Sequence, residues 1–333
     1  MRARSWSKWI TYVAAVFLPV LILIGMLYER AGERADRKKY PQIGRSIDVG
    51  GRALNLYCSG NGSPTVVLAT SGHTAGYRWV NLQSQIAGFT RACWYDRAGY
   101  GWSDPAPSPP TFRTDANDLH ALLRSGTVNP PYLFVGEGLA GFHIRVYHAL
   151  YPNEVAGAVL VNSAEVGPPG HEKGYQPGRM AGLPSRVKSL SCQVLGPTLL
   201  RVGLLRLFWS GHDTAPIACT ALSREQQEEL TFLSTTPVSI TGGEGCKYDQ
   251  SLAELQGSGN LGDLPLVVIT SVHPVNQMQA EEFAKNHAPG QPQLAALSSA
   301  GRQVLTEDSD SMSRAISQAV REIVISTREA SHR

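Results

Sequence analysis

The sequence predicts an α/β fold: a mostly parallel sheet flanked by helices, interrupted by a helical cap and preceded by one transmembrane helix. Three observations lead there. Short runs rich in β-branched residues alternate with amphipathic helix patterns. Central runs such as TVVLAT (65–70) and VAGAVLVN (155–162) are apolar throughout, as strands covered on both faces must be. One uncharged stretch near the N-terminus is as long as a bilayer is thick.

That stretch runs from Trp9 to Tyr28, WITYVAAVFLPVLILIGMLY, between Lys8 and Glu29. At about 1.5 Å per residue it spans roughly 30 Å. A cleaved signal peptide would have a shorter apolar region ending in small residues, whereas Met26, Leu27 and Tyr28 are bulky, so the sequence predicts an uncleaved anchor. Pro19 is compatible, because lipid-embedded helices re-satisfy the carbonyl that a proline frees. Residues 1–8 form a short tail and 29–43 a charged juxtamembrane linker. Basic residues lie on both sides of the run, and a positive-inside count places the body in the cytoplasm by a small margin.

The body follows in order. Strands are expected at SIDV (46–49) and RALNLYC (52–58), joined by Gly50-Gly51, then at TVVLAT. A helix with Trp79, Leu82 and Ile86 inward leads to the strand RACWYD (91–96), a helix over about 111–125 and the strand YLFV (132–135). Leu139, Phe142, Val146 and Leu150 then mark one helix face, and VAGAVLVN is the next strand. Regularity stops between Ser163 and Gly262. This stretch holds one strongly apolar helix candidate (197–209), expected to be buried within the protein, and a polar helix opened by the capping box Ser223-x-x-Gln226. Alternation resumes with PLVVIT (265–270), a helical region broken by Pro289-Gly290, RQVLT (302–306) and a last helix with Met312, Ile316, Val320 and Ile323 inward. The core is therefore expected over 44–162 and 263–333, with 163–262 as a cap insertion.

Composition excludes two classes. With 42% hydrophobic and 17% charged residues the chain is not disordered. Eight of its 30 Lys and Arg fall in the first 39 residues, so the body is near neutral and offers no electrostatic footprint for nucleic acid.

The loop YDRAGYGWSD (95–104), TSGH (70–73) after the third strand, GEGLAG (136–141) at a strand-to-helix turn, AVLVNS and GRQVLTEDSD together resemble the α/β-hydrolase family, in particular its membrane-anchored bacterial members. The resemblance runs from about Ile47 to Val324. It implies a serine on the sharp turn, a histidine after the last strand, a carboxylate to hold it and two backbone N–H groups for an oxyanion. Here Gly138 stands at the nucleophile position, and Ser311, or Asp310 under a one-residue shift, stands where the histidine would be. Asn162 occupies one of the two acid positions, and the loop after PLVVIT offers His273 but no carboxylate.

No catalytic residue is therefore expected; Gly138, Ser311 and Asn162 mark a degenerate triad. The candidate pocket comprises Ser71, Gly72, His73, Glu137, Gly138, Leu139, Asn162, His273 and Asp310. Glu137 is expected to be a hydrogen-bonded structural carboxylate, and no metal or cofactor is expected, because the histidines lack ligand spacing. Cys58 and Cys93 fall on strands that neighbour each other in the family's sheet order, so they either bridge or pack as thiols; Cys192, Cys219 and Cys246 show no metal spacing. The expected function is a membrane-anchored, noncatalytic protein that binds a small hydrophobic ligand or a partner protein, its body leaning to the extracytoplasmic side. The alternatives are an esterase-, lipase- or peptidase-like hydrolase working through a displaced group such as Ser71 or Ser163, and an accessory subunit of a membrane complex.

Overall fold

A computed structural model describes residues 3–70, 74–163, 198, 202–203, 222–234, 245–271 and 291–331, without the side chains of 3–16, 18 and 309. Among the described residues, strands β1 (Arg45–Asp48), β2 (Ala53–Ser59), β3 (Thr65–Ala69), β4 (Ala92–Tyr95), β5 (Tyr132–Glu137), β6 (Val155–Val161), β7 (Leu266–Ser271) and β8 (Gly301–Thr306) form one sheet. Its order is β1-β2-β4-β3-β5-β6-β7-β8. Pairing is antiparallel from β1 through β2 to β4 and parallel from there to β8. The all-apolar strands are the central ones, as the two-sided burial of a parallel sheet requires.

The helices are α1 (Ala3–Lys39), α2 (Val80–Ile86), α3 (Phe112–Ser125), α4 (Ala140–Leu150), α5 (Arg224–Ser234), α6 (Tyr248–Gln256), α7 (Gln291–Ala295) and α8 (Ser309–Ser331). One face of the sheet buries Phe112, Leu122, Phe142 and Leu255 from α3, α4 and α6. The other buries Trp79, Leu82 and Ile86 beside Met312, Ile316, Val320 and Ile323, the inward sets that helical spacing predicted. The Ser223 capping box is formed: the Gln226 N–H donates to Ser223 Oγ at 3.2 Å, and the Ser223 N–H to Gln226 Oε1 at 2.9 Å.

One helix corrects the expectation of irregular chain up to Gly262. α6 lies inside that stretch, packs on α3 and α4, and accepts the Arg113 N–H with Glu254 Oε2 at 2.9 Å. Tyr248, Ser251, Leu252 and Leu255 are its buried residues. Their spacing is helical, but a stripe containing a serine in so short a segment gives a weak apolar signal.

α1 is continuous helix through the expected anchor, with Pro19 inside it. Among the described residues no helix is long and apolar enough to cross a membrane. The side chains of the first half of the Trp9–Tyr28 run lie outside the described set. So does most of the 197–209 candidate, of which Thr198, Val202 and Gly203 are described.

Cys58 and Cys93 sit directly opposite each other on β2 and β4, with Cα atoms 4.1 Å apart, and form a disulfide. Cys246 is also disulfide-bonded. The choice between bridge and packed thiols is thus decided for Cys58 and Cys93.

Candidate functional site

The site is built at the carboxyl edge of the sheet, where β5 turns into α4. Gly138 lies at φ +57°, in the left-handed region that a side chain with a Cβ enters only at a cost. Its N–H donates to Val161 O on the neighbouring strand at 3.1 Å, and its carbonyl accepts the Gly141 N–H at 3.3 Å, which starts the helix. The chain therefore turns sharply from β5 into α4 with a glycine at the turn. Leu139 follows, buried.

Glu137, immediately before the turn, is buried against Arg78. Arg78 Nε lies 2.8 Å from Oε2, and Nη2 donates to Oε1 at 3.2 Å. Both side chains are nearly excluded from solvent. This two-point ion pair fixes the Glu137 carboxylate beside the turn. Arg78 itself escaped sequence reasoning: it lies in a 3-10 turn (Gly76–Trp79) and reads there as an ordinary surface charge before a helix.

YDRAGYGWSD is an architectural knot around Asp96. Its Oδ1 accepts the Gly76 N–H at 2.7 Å; its Oδ2 accepts Asn55 Nδ2 at 2.9 Å and the Trp102 N–H at 3.1 Å. Burial pushes this carboxyl's pKa up, while the three donors pull the other way. Gly101, at φ +51°, leaves the carboxylate the space a Cβ would fill. Ser103 Oγ donates to Asp96 O at 2.6 Å and accepts the Asn55 N–H at 2.8 Å. The knot holds the chain just after the expected oxyanion loop, at Gly76, and so shapes the edge beside the elbow. Below it, Arg97 Nη1 and His143 Nδ1 each lie 3.3 Å from Asp115 Oδ2 in a buried cluster that sequence reading also missed.

The positions expected to carry base and acid have other duties. Ser311 caps the start of α8. Its Oγ accepts the N–H groups of Asp308 at 3.0 Å and Glu307 at 3.2 Å, while its own N–H donates to Asp308 Oδ1. Asp310 is exposed in the same turn. Asn162, at φ +44°, uses Oδ1 to accept the Ser271 N–H at 2.9 Å and so ties the end of β6 to β7. Ser163 is fully buried beside α4, and its Oγ has no hydrogen-bond partner among the described residues. The structure thus brings Glu137, Gly138, Leu139 and Asn162 to one edge, with Ser163 behind, and leaves Asp310 facing solvent. Ser71, Gly72, His73 and His273 lie outside the described residues.

Over this edge lies α5. The Ala75 N–H donates to Ser234 Oγ at 3.2 Å, the Gly101 N–H to Leu233 O at 3.0 Å, and Asn81 and Gln226 exchange amide hydrogen bonds.

Sheet order, elbow and covering helix together define an α/β-hydrolase-fold protein, and the comparisons agree. Residues 64–193 match the alpha/beta hydrolase fold family. A thermophilic esterase from Thermogutta terrifontis superposes with a TM-score of 0.58 at 16% identity, covering 84% of this chain and 97% of the esterase. The enol-lactonase of Burkholderia xenovorans superposes at 0.55 with 17% identity, covering 84% and 100%. At such identities the likeness is one of fold. Among curated proteins, an uncharacterised protein of Bacillus subtilis is 24% identical over 157 residues, 46% of this chain and 48% of its own length. An uncharacterised vacuolar membrane protein of Saccharomyces cerevisiae is 32% identical over 104 residues, 30% of this chain and 16% of its own. The chain thus matches less than half the length of these relatives.

Proposed function

We propose that the chain is a membrane-anchored α/β-hydrolase-fold protein that does not carry out serine acyl transfer and instead binds a small hydrophobic ligand or a partner protein at the capped edge of its sheet. The observation that carries this reading is Gly138: the elbow is formed, at φ +57°, with no side chain to attack a carbonyl. Ser311 supports it, since the side chain at the expected base position is committed to a helix cap.

The anchor is supported by α1. Phe17, Leu21, Leu23, Ile24 and Leu27 are each 55% to 63% exposed along it, an apolar surface that water does not favour and lipid does. The vacuolar membrane relative points the same way. The disulfides support a body in an oxidising, extracytoplasmic compartment, against the narrow count of basic residues.

The buried Ser163 hydroxyl favours one second reading, hydrolysis by a displaced serine. Both are tested on the full chain in detergent, with a panel of activated esters and a serine-directed phosphonate. We expect neither turnover nor labelling. Phosphonate on a defined serine, or turnover abolished by Ser163→Ala, would establish the hydrolase and end the noncatalytic reading.

A further inference from the structure

Beyond Tyr28, α1 continues as helix through residues 29–39, a segment with five basic and three acidic side chains. The body meets the helix along one stripe. Among the described side chains from Phe17 to Tyr40, Gly25, Met26, Glu29, Gly32, Asp36 and Tyr40 are partly buried and the rest are exposed. Contacts at both ends of the stripe fix the rotation of the helix. The Tyr40 ring stacks on Phe232 of α5 with centroids 5.1 Å apart, and a Cβ on Gly203 would lie 3.0 Å from Gly25 O and 3.5 Å from Glu29 Oε2.

This docking sorts the charges around the helix. At about 100° per residue, Glu29, Glu33 and Asp36 fall within about 60° of one another, on the docked side. Arg30, Arg34, Arg37 and Lys38 fall within about 100° of one another on a face turned about 130° away, and no acidic residue lies in that arc. Arg30, Arg34 and Lys38 are exposed and make no ion pair among the described residues; Arg37 lies 6.0 Å from the Trp102 ring. Lower on the same face are Val20, Leu23 and Leu27, exposed as well. The face is thus apolar up to Leu27, and its cations run from Arg30, about 4.5 Å further along the axis, to Lys38, about 12 Å beyond that. A bilayer presents the complementary order, acyl chains and then phosphates, and anionic headgroups attract Lys and Arg that lie within a Debye length of the surface, about 8–10 Å.

We propose that this basic face of α1 is a binding surface for anionic phospholipid headgroups in the leaflet next to the body. The surface rests on the reading of residues 9–28 as a span. A charge run of mixed sign is ordinarily a solvated face. Lipid is favoured here because docking turns Glu29 and Asp36 toward the protein and leaves the cations outward at headgroup height. Since Tyr40 stacks on α5, headgroup binding also sets the angle at which α5 and the Gly138 edge stand on the bilayer.

The test reconstitutes the full chain in vesicles of phosphatidylcholine and phosphatidylglycerol. Parallel preparations carry a trace of one lipid or the other with a photoactivated diazirine close to the headgroup, and a third carries the diazirine at the end of an acyl chain; adducts are located by peptide mass spectrometry. Residues 27–38 are expected to label severalfold more from the phosphatidylglycerol probe than from the phosphatidylcholine probe. The ratio should fall towards one in about 0.5 M salt, where the Debye length is roughly halved, and in the triple variant Arg30→Gln, Arg34→Gln, Lys38→Gln. Equal labelling by the two lipids, or a preference that survives both salt and the triple variant, overturns the surface. Absence of headgroup-probe adducts from 27–38, while the acyl-end probe still labels 9–28, leaves the anchor standing and overturns the surface too. Absence of acyl-end adducts from 9–28 removes the anchor and this proposal with it.

Discussion

Gly138 concentrates the residue-scale question, because placing a hydroxyl there tests whether this turn can support acyl transfer. In Gly138→Ser the new Cβ enters the left-handed region, and about 1–2 kcal/mol of stability should be lost, measured by chemical denaturation. Ester turnover should stay at background, since Ser311 is a capping residue and Asn162 is spent on the Ser271 N–H. Glu137 makes a sharper case. Glu137→Ala leaves Arg78 charged and buried without its two-point partner, a loss of about 3–5 kcal/mol that denaturation would register. A stability change below 1 kcal/mol would show that Arg78 finds water or another acceptor.

At the scale of elements, the start of α8 is held by a reciprocal set of hydrogen bonds between Asp308 and Ser311. The Ser311 N–H and hydroxyl hold the Asp308 carboxyl below its ordinary pKa of 3.8, the N–H being the largest influence. Since the folded-state value is the lower one, the stabilisation is complete above pH 3.8 and is lost as pH falls through the folded value. Amide exchange at Ser311 should accelerate over that acid range before the sheet opens. Ser311→Ala should cost about 0.5–1 kcal/mol and leave the ester and phosphonate results unchanged. The element boundaries were largely legible beforehand, because β3, β6 and β7 carry continuous apolar runs and α8 a clean helical stripe. α6 was not legible, since its identity as a helix rests on packing against α3 and α4 more than on its own pattern.

For the whole molecule, the disulfide and the proposed anchor bear on where the protein works. Removing the bridge with Cys58→Ala and Cys93→Ala should cost about 2–4 kcal/mol through the freedom returned to the unfolded chain. Non-reducing peptide mapping of the native protein should find Cys58 joined to Cys93; free thiols at both would return the body's compartment to an open question. Extraction should need detergent for the full chain and not for a chain beginning at Tyr40.

The amino-acid sequence by itself determined the α/β architecture and the place of the glycine turn between β5 and α4, because strand and helix periods and the residue at a turn are local properties. It could also name Glu137, Asn162 and Ser311 as positions. Only the tertiary structure decided what those residues do: Arg78 is 59 residues from Glu137, and Ser271 is 109 from Asn162. Such partners are chosen by the order in which strands assemble into a sheet, and no local pattern records which distant polar group will be brought within hydrogen-bonding reach.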